Sequence, residues 1–327
     1  MAVRGKPIGN GLLGQSVRFE LQLDREEDSA PEALVGKFAA TGPSSRALCV
    51  ANELYLREVR FYQEVAPSVS MCTPRIYAAE IDLATHDYIL LMEDLSPARQ
   101  GDQLAGCSIQ DCMVALGEIA KLHAAYWRRP DLSDRPWLRG VPERYRRQAA
   151  ALPNAVQQYM QRFGSRLEPE VRRLLEGFAS RYSVVVGDRT SPWTLQHGDF
   201  RLDNVMFDVR NRAGTMATLD WQTINAGCGL FDVAFFVGCA LPTDQRRRVE
   251  CDLVRGYHDG LCRLGVCDYS FEECWRDYRR YSVRSLYTPI AAGLSVEPSE
   301  RGDQLLASMM RGLARMVLDH DALTLWA

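Results

Sequence analysis

The periodicity of the chain changes once, near Ser96, and that change limits the folds open to it. Ahead of it, SVRFELQLD over residues 16–24 alternates Val17, Phe19, Leu21 and Leu23 with polar neighbours, the period of a half-buried strand. A polar turn, REEDSAPE, leads to ALVGKFAA, and PRIYAAEI and DYILLME follow as two further strand-like runs. Between them, ELYLREVRFYQEV after Asn52 carries Leu54, Tyr55, Glu58, Phe61, Tyr62 and Val65 at helical intervals. Beyond Ser96 the spacing stays helical. Ser108 is placed to cap a helix whose stripe is Ile109, Cys112, Met113, Leu116, Ile119, Ala120 and His123. Further helices are expected around 143–163, 168–186, 244–264, 271–287 and 301–319. The pattern predicts an α+β protein, with a small strand-rich lobe over 1–95 and a larger helical lobe over 96–327.

Composition narrows the function classes. The longest uncharged apolar run, Val233 to Leu241, is far short of the ~20 residues a membrane span needs and reads as a buried helix. Neither a signal-peptide core nor a lipidation box is visible at the ends, so a cytoplasmic protein with no membrane partner is expected. None of the ten cysteines has C-x-x-C spacing, which favours buried thiols over a metal site. Residues 121–189 hold 14 basic against 7 acidic side chains. No aromatic-interleaved basic block accompanies that surplus, so a solvated arginine-rich face is expected and nucleic acid is not.

Chemistry gathers at a few points. Gly9, Gly11 and Gly14 form a G-x-G-x-x-G match in GNGLLG. A dinucleotide site would put a helix directly after the glycines, whereas an alternating strand follows here. The order of loop, strand, turn and strand fits a glycine flap over the phosphates of ATP. Lys37 in LVGKF either faces solvent or points under that flap. A buried ammonium needs a carboxylate, which Glu58 can supply, with Glu53 as the alternative. In HGDFRLDN, Asp199 and Asn204 have the D-x-x-x-x-N spacing of a catalytic loop at 197–204, and Asp220 ends the strand-like MATLD. Phosphoryl transfer needs a carboxylate to orient the attacking hydroxyl, and oxygen ligands for magnesium near the triphosphate. VMFD and MATLD read as a hairpin joining these groups.

HGDFRLDN followed by LDWQTINAGCGLFDVAFF resembles the aminoglycoside phosphotransferase and choline-kinase-like superfamily, which has a protein-kinase-like fold. PIGNGLLGQSVRFEL, REVRFYQEVAP, YILLMEDLS, ALGEIAKLHAAYW and ERGDQLLASMMRGLARMVLDHDAL are similar to its ecdysteroid-kinase-like branch, including bacterial members. The resemblance implies Asp199 as catalytic base, Asn204 and Asp220 as magnesium ligands, and a Lys37–Glu58 pair on the ATP phosphates. It also implies a hinge at Met92–Leu95 whose backbone, at Glu93 and Leu95, receives adenine. His197 is expected to brace the loop, and Asp232 to cap or brace it without touching substrate.

Relatives usually carry a helical segment before the glycine loop, where this chain has eight residues. Unlike protein kinases, it has twelve residues from Asp220 to Asp232 and no A-P-E, which leaves little platform for a polypeptide acceptor. The expected activity is ATP- and magnesium-dependent phosphorylation of a small-molecule hydroxyl: a natural product, steroid-like alcohol, antibiotic or hydroxyacyl compound. The basic 121–189 segment and the near-balance of 14 acidic and 12 basic residues after 220 weigh against a polycationic acceptor. The alternatives are a non-catalytic nucleotide-binding kinase-like protein and, more remotely, a nicotinamide oxidoreductase built on the glycine triplet.

Overall fold

The computed structural model describes residues 2–9, 13–22, 24, 30–138, 141–187, 190–295 and 298–326. In chain order it opens with β1 (Ala2–Ile8), β2 (Gly14–Gln22), β3 (Ala33–Ala39), α1 (Pro43–Ala51) and α2 (Leu54–Arg60). Next come β4 (Ile76–Ile81), β5 (Tyr88–Glu93), β6 (Arg99–Gln100), α3 (Ile109–Ala125), α4 (Val141–Phe163) and α5 (Pro169–Gly187). Short strands β7 (Thr194–Gln196), β8 (Val205–Phe207), β9 (Met216–Thr218) and β10 (Asn225–Gly227) follow. Helices α6 (Leu230–Ala240), α7 (Thr243–Arg263), α8 (Phe271–Ser285), α9 (Tyr287–Ser295) and α10 (Glu300–Asp319) complete the chain.

Two compact units emerge: Met1–Arg99 with Met206–Thr223, and Gln100–Val205 with Ile224–Ala327. The sequence suggested a single cut at 95/96, but residues 206–223 pack with the first unit. Their apolar side chains explain this: Val209 and Ala217 form a buried cluster with Leu95, against which Cys72, Ala98, Met206 and Leu219 pack.

The first unit is built on a five-stranded antiparallel sheet in the order β1-β2-β3-β5-β4. The expected strands all form. β1 and α1 were not anticipated, because each lacks a buried face to imprint a period. All of β1 is exposed except partly buried Ile8, and Cys49 is the one buried residue of α1. The helix expected from Asn52 is α-helical only to Arg60 and continues as a π-helical turn, Phe61–Val65.

The second unit is helical. Beyond Asp232 in its first turn, α6 is apolar on every side and buried, with Cys239 only partly so, matching the reading of its run from Val233. Ser108 caps α3 by accepting from the Asp111 N–H. Met113 departs from the expected stripe and is 53% exposed. It sits one residue, ~100° of helical turn, past Cys112 and off the buried face of Cys112, Leu116, Ile119 and His123. The helix expected over 271–287 ends at Ser285 because Pro289 has no N–H for the Ser285 carbonyl, and α9 begins anew. The cysteines are free; Cys49, Cys112, Cys228 and Cys274 are buried, but Cys251, Cys262 and Cys267 are exposed, contrary to expectation. Among the described residues no helix is long and apolar enough to cross a membrane.

Candidate active site

In the first unit Lys37 sits on β3, in register with Ser16 of β2 and Leu90 of β5. Its Nζ lies 2.8 Å from Glu58 Oε1 and 2.9 Å from Asp220 Oδ1. The sequence left Glu58 and Glu53 open as partners, and the structure brings Glu58 to the lysine. Glu53 is half exposed and lies 3.6 Å from Arg57. Glu58 is 1% exposed and Lys37 14%. Burial alone would lower the lysine's pKa, but the carboxylates of Asp220 and Glu58 outweigh it and hold the ammonium well above its ordinary range. Burial pushes Glu58 up, against the pull of Lys37.

Local structure fixes this triad. Asp220 takes a left-handed conformation, φ 61°, just after β9. Trp221 beside it is fully buried and stacks on Phe61 of the π-helical turn at 3.7 Å, with ring planes 9° apart. A π-helical turn shifts the phase of a helix. Here it brings the ring three residues after Glu58 against the residue after Asp220. Gly14 opens β2 close to the lysine: a side chain there would meet the Phe38 carbonyl at 3.0 Å and the Lys37 Cε at 3.7 Å. Gly9 ends the β1 side of the turn with φ +70°. Gly11, the middle glycine of the expected flap, lies outside the described residues.

At the end of β5 the Glu93 carboxylate takes a two-pronged ion pair from Arg210, at 2.9 and 2.6 Å, and accepts from the Arg75 N–H at 3.0 Å. Arg210 in first place holds this carboxyl below its usual range. Asp94 receives the Arg18 Nε at 2.6 Å, and buried Leu95 accepts from the Ala98 N–H through its carbonyl. The expected hinge is thus braced through the side chains of Glu93 and Asp94 and the carbonyl of Leu95.

In the second unit, β7 pairs with β10 and delivers the loop 197–204. Gly198, at φ +84°, makes a turn that a side chain would strain. Asp232, fully buried at the start of α6, accepts from the His197 N–H at 2.7 Å and the Gly198 N–H at 3.0 Å. His123 contacts its Oδ2 at 3.3 Å and the Tyr257 hydroxyl at 2.8 Å. Asp232 therefore braces the loop as the sequence suggested. Buried His197 does likewise, its Nδ1 accepting from the Asp199 N–H at 3.2 Å.

Asn204 Nδ2 donates to the Asp199 carbonyl at 2.8 Å and to its Oδ2 at 2.9 Å, and Arg201 Nε donates to the same Oδ2 at 3.2 Å. Both side-chain donors thus converge on Oδ2, and no donor among the described residues reaches Oδ1. Asn204 Oδ1 is likewise without a donor among the described residues. Arg201 also pairs with Asp203.

The sequence reading missed the loop's other supports. Buried Gln103 accepts from the Leu202 N–H at 3.0 Å and donates to the Cys239 carbonyl at 2.7 Å. Gly101 lies so close that a side chain would fall 2.2 Å from the Leu202 carbonyl oxygen. Neither residue stands in a motif, and their partners lie about a hundred residues away, so no local signal marks them. Among the described residues no three His, Cys, Asp or Glu side chains converge as a metal site. Asn204 in the second unit and Asp220 in the first each carry a hard oxygen of the kind magnesium takes alongside phosphate and water.

Comparisons with known proteins bear on this geometry. The profile described as "Ecdysteroid kinase-like family" matches residues 11–265. No curated protein matches the sequence. The GDP complex of wild-type aminoglycoside 2'-phosphotransferase-IIIa is similar at 13% identity and TM-score 0.56, covering 98% of this chain and 93% of that one. Ethanolamine kinase from Plasmodium vivax is similar at 11% identity and TM-score 0.52, covering 95% of this chain and 81% of that one. Amicoumacin kinase hAmiN, in complex with AMP-PNP, Ca2+ and Ami, is similar at 10% identity and TM-score 0.51, with coverages of 95% and 87%. At such identities the likeness establishes the fold, which is kinase-like and two-lobed as the sequence led one to expect.

Proposed function

The chain belongs to the Ecdysteroid kinase-like family, within the aminoglycoside phosphotransferase and choline-kinase-like superfamily, and from that premise we propose that it phosphorylates a small-molecule hydroxyl with ATP. The observation carrying this reading is the state of Asp199: Oδ2 is saturated by Asn204 and Arg201, while Oδ1 has no donor among the described residues. A carboxylate held in that way is suited to receive a hydroxyl proton. In the proposed step the acceptor oxygen bonds to the γ-phosphorus as the bond to ADP breaks, and the hydroxyl proton passes to Asp199 Oδ1. A phosphate ester and ADP result.

In this reading Lys37, held by Glu58, contacts the nucleotide phosphates under a flap formed by Gly9, Gly11 and Gly14. The backbone at Glu93 and Leu95 receives adenine. Asn204 and Asp220 are the proposed magnesium ligands. Magnesium, when bound, neutralises charge on the triphosphate. The acceptor is a natural product, steroid-like alcohol, antibiotic or hydroxyacyl compound.

The test is ADP release across a panel of alcohols, with thermal unfolding as an independent readout of nucleotide binding. Mg-ATP at about 100 times its Kd should add about 2.7 kcal/mol to the native state. Asp199→Ala is expected to keep that shift and to lose about 10²–10⁴-fold in turnover. Unchanged turnover would refute the assignment.

A further inference from the structure

Among the described residues, one buried arginine of the helical unit is hydrogen-bonded to no carboxylate. Arg284, on α8, is 9% exposed. Its NH1 donates to Gln196 Oε1 at 3.2 Å and its NH2 to the Tyr145 hydroxyl. The guanidinium lies over the rings of Tyr145 and Phe231, 4.8 and 4.6 Å from their centroids. All of these partners are neutral. The acidic residue acting on it is Asp232, after burial and the tyrosines in order of effect; the carboxylate of Asp232 is already taken by the N–H groups of His197 and Gly198 and by His123.

Buried Arg246 and partly buried Arg201 of the same unit are compensated. Arg246 meets Glu250 at 2.7 Å and also Asp319, and Arg201 meets Asp199 and Asp203. A buried, permanently charged guanidinium is costly unless an anion answers it. It offers five N–H donors in a planar fork, and two of them have acceptors among the described residues.

Arg284 also lines a cavity. Tyr145, Trp193, Ala226, Cys228 and Tyr281 enclose it with the arginine, leaving about 10 Å³, room for one water or one oxygen of an incoming group. The cavity stands next to the candidate catalytic loop. Gln196, bonded to Arg284, immediately precedes His197, and Asp199 is three residues on, at most about 11 Å of extended chain.

We propose that this slot recognises an anionic oxygen group, a carboxylate or a phosphate, on the acceptor, so that the substrate is a hydroxylated anion rather than a cation. The inference rests on the kinase reading and sets the substrate class for it. Arg284 grips the anionic end, and the hydroxyl at the other end of the molecule reaches Asp199 Oδ1. The two aromatic faces hold the guanidinium in place and exclude water, which strengthens a charge-assisted hydrogen bond.

The probes are 6-hydroxyhexanoate, 6-hydroxyhexyl phosphate, 1,6-hexanediol and 6-amino-1-hexanol, titrated calorimetrically into the full chain with Mg-ADP present. Both anions should bind, and the diol and amine at least about tenfold more weakly, the loss of a charge-assisted contact. The tighter of the two anions identifies a carboxylated or a phosphorylated acceptor. Arg284→Gln should weaken the anions by a similar factor and leave the diol unchanged. Tyr145→Phe, which frees a guanidinium donor, should bind the anions as well or better and serves if the arginine variant does not fold. Equal binding of diol and anion, anion binding untouched in Arg284→Gln, or anion binding lost in Tyr145→Phe would each overturn the proposal. So would failure of both anions to bind a wild-type chain that still gives its Mg-ATP shift. Loss of the Mg-ATP shift with anion binding intact would instead sink the kinase reading and leave the slot.

Discussion

Replacing Lys37 by methionine removes the ammonium that sits 2.8 Å from Glu58 and 2.9 Å from Asp220. The two carboxylates respond differently. Asp220 is 41% exposed and can turn to water, so its loss is small. Glu58 is 1% exposed and cannot. Removing one partner of a buried pair costs about 3–5 kcal/mol. With a urea slope of about 1–3 kcal/mol per molar, the midpoint for this unit should fall by about 1–5 M at pH 8.

Glu58 escapes the penalty by taking a proton. Burial already raises its pKa, and the lysine that opposes the rise is gone in the variant. A carboxyl whose folded pKa is raised stabilises the fold fully below its unfolded value, about 4.3, and loses that contribution as pH rises through the folded value. The deficit against wild type should therefore shrink from pH 8 to pH 5. Lys37 adds no slope there, because its raised pKa keeps it charged throughout. Trp221, the one tryptophan within residues 1–99 and 206–223, is the natural fluorescence probe. The double variant Lys37→Met/Glu58→Gln, which buries no charge, should recover much of the loss. A deficit independent of pH, or a double variant no more stable than the single, would show that Glu58 is not the stranded charge.

Three further expectations test the supports of the site. Asp232→Asn keeps the shape but cannot accept from the His197 and Gly198 N–H groups as a carboxylate does. About 1–3 kcal/mol of stability should go, read by thermal unfolding, with turnover falling as the loop loosens. Gly101→Ala puts a methyl 2.2 Å from the Leu202 carbonyl oxygen, and the forced shift should cost about 1–3 kcal/mol; an unchanged melting midpoint would show that the loop yields freely. Arg210→Ala removes a partly exposed pair with Glu93, so urea unfolding at pH 7 should show a loss of less than about 1 kcal/mol. Since Arg210 lowers the Glu93 pKa, that contribution exists above the unfolded value of about 4.3 and vanishes as pH falls through the folded one, so wild type and variant should converge in acid.

Much of this protein was fixed locally and could be read from the sequence. Alternation in SVRFELQLD and the 3.6-residue stripe after Ser108 record which face of each element is buried, and burial is what writes a period into a sequence. HGDFRLDN carries its own chemistry, because Asp199, Asn204 and Arg201 meet within one turn of chain. Elements without a buried face, β1 and α1, left no such record.

Long-range choices belonged to the tertiary structure alone. Glu53 just before α2 and Glu58 within it are both acidic, and the π-helical turn with the Phe61–Trp221 stack accompanies the meeting of Glu58 with Lys37. Gln103 and Gly101 support the loop, and Arg284 lies in a slot where no described residue lends it a carboxylate, only because residues about ninety to a hundred positions away are folded against them. A sequence shows what each side chain can do. Whether a charge finds its partner depends on packing, since burial makes an ion pair matter and packing decides which groups are buried together.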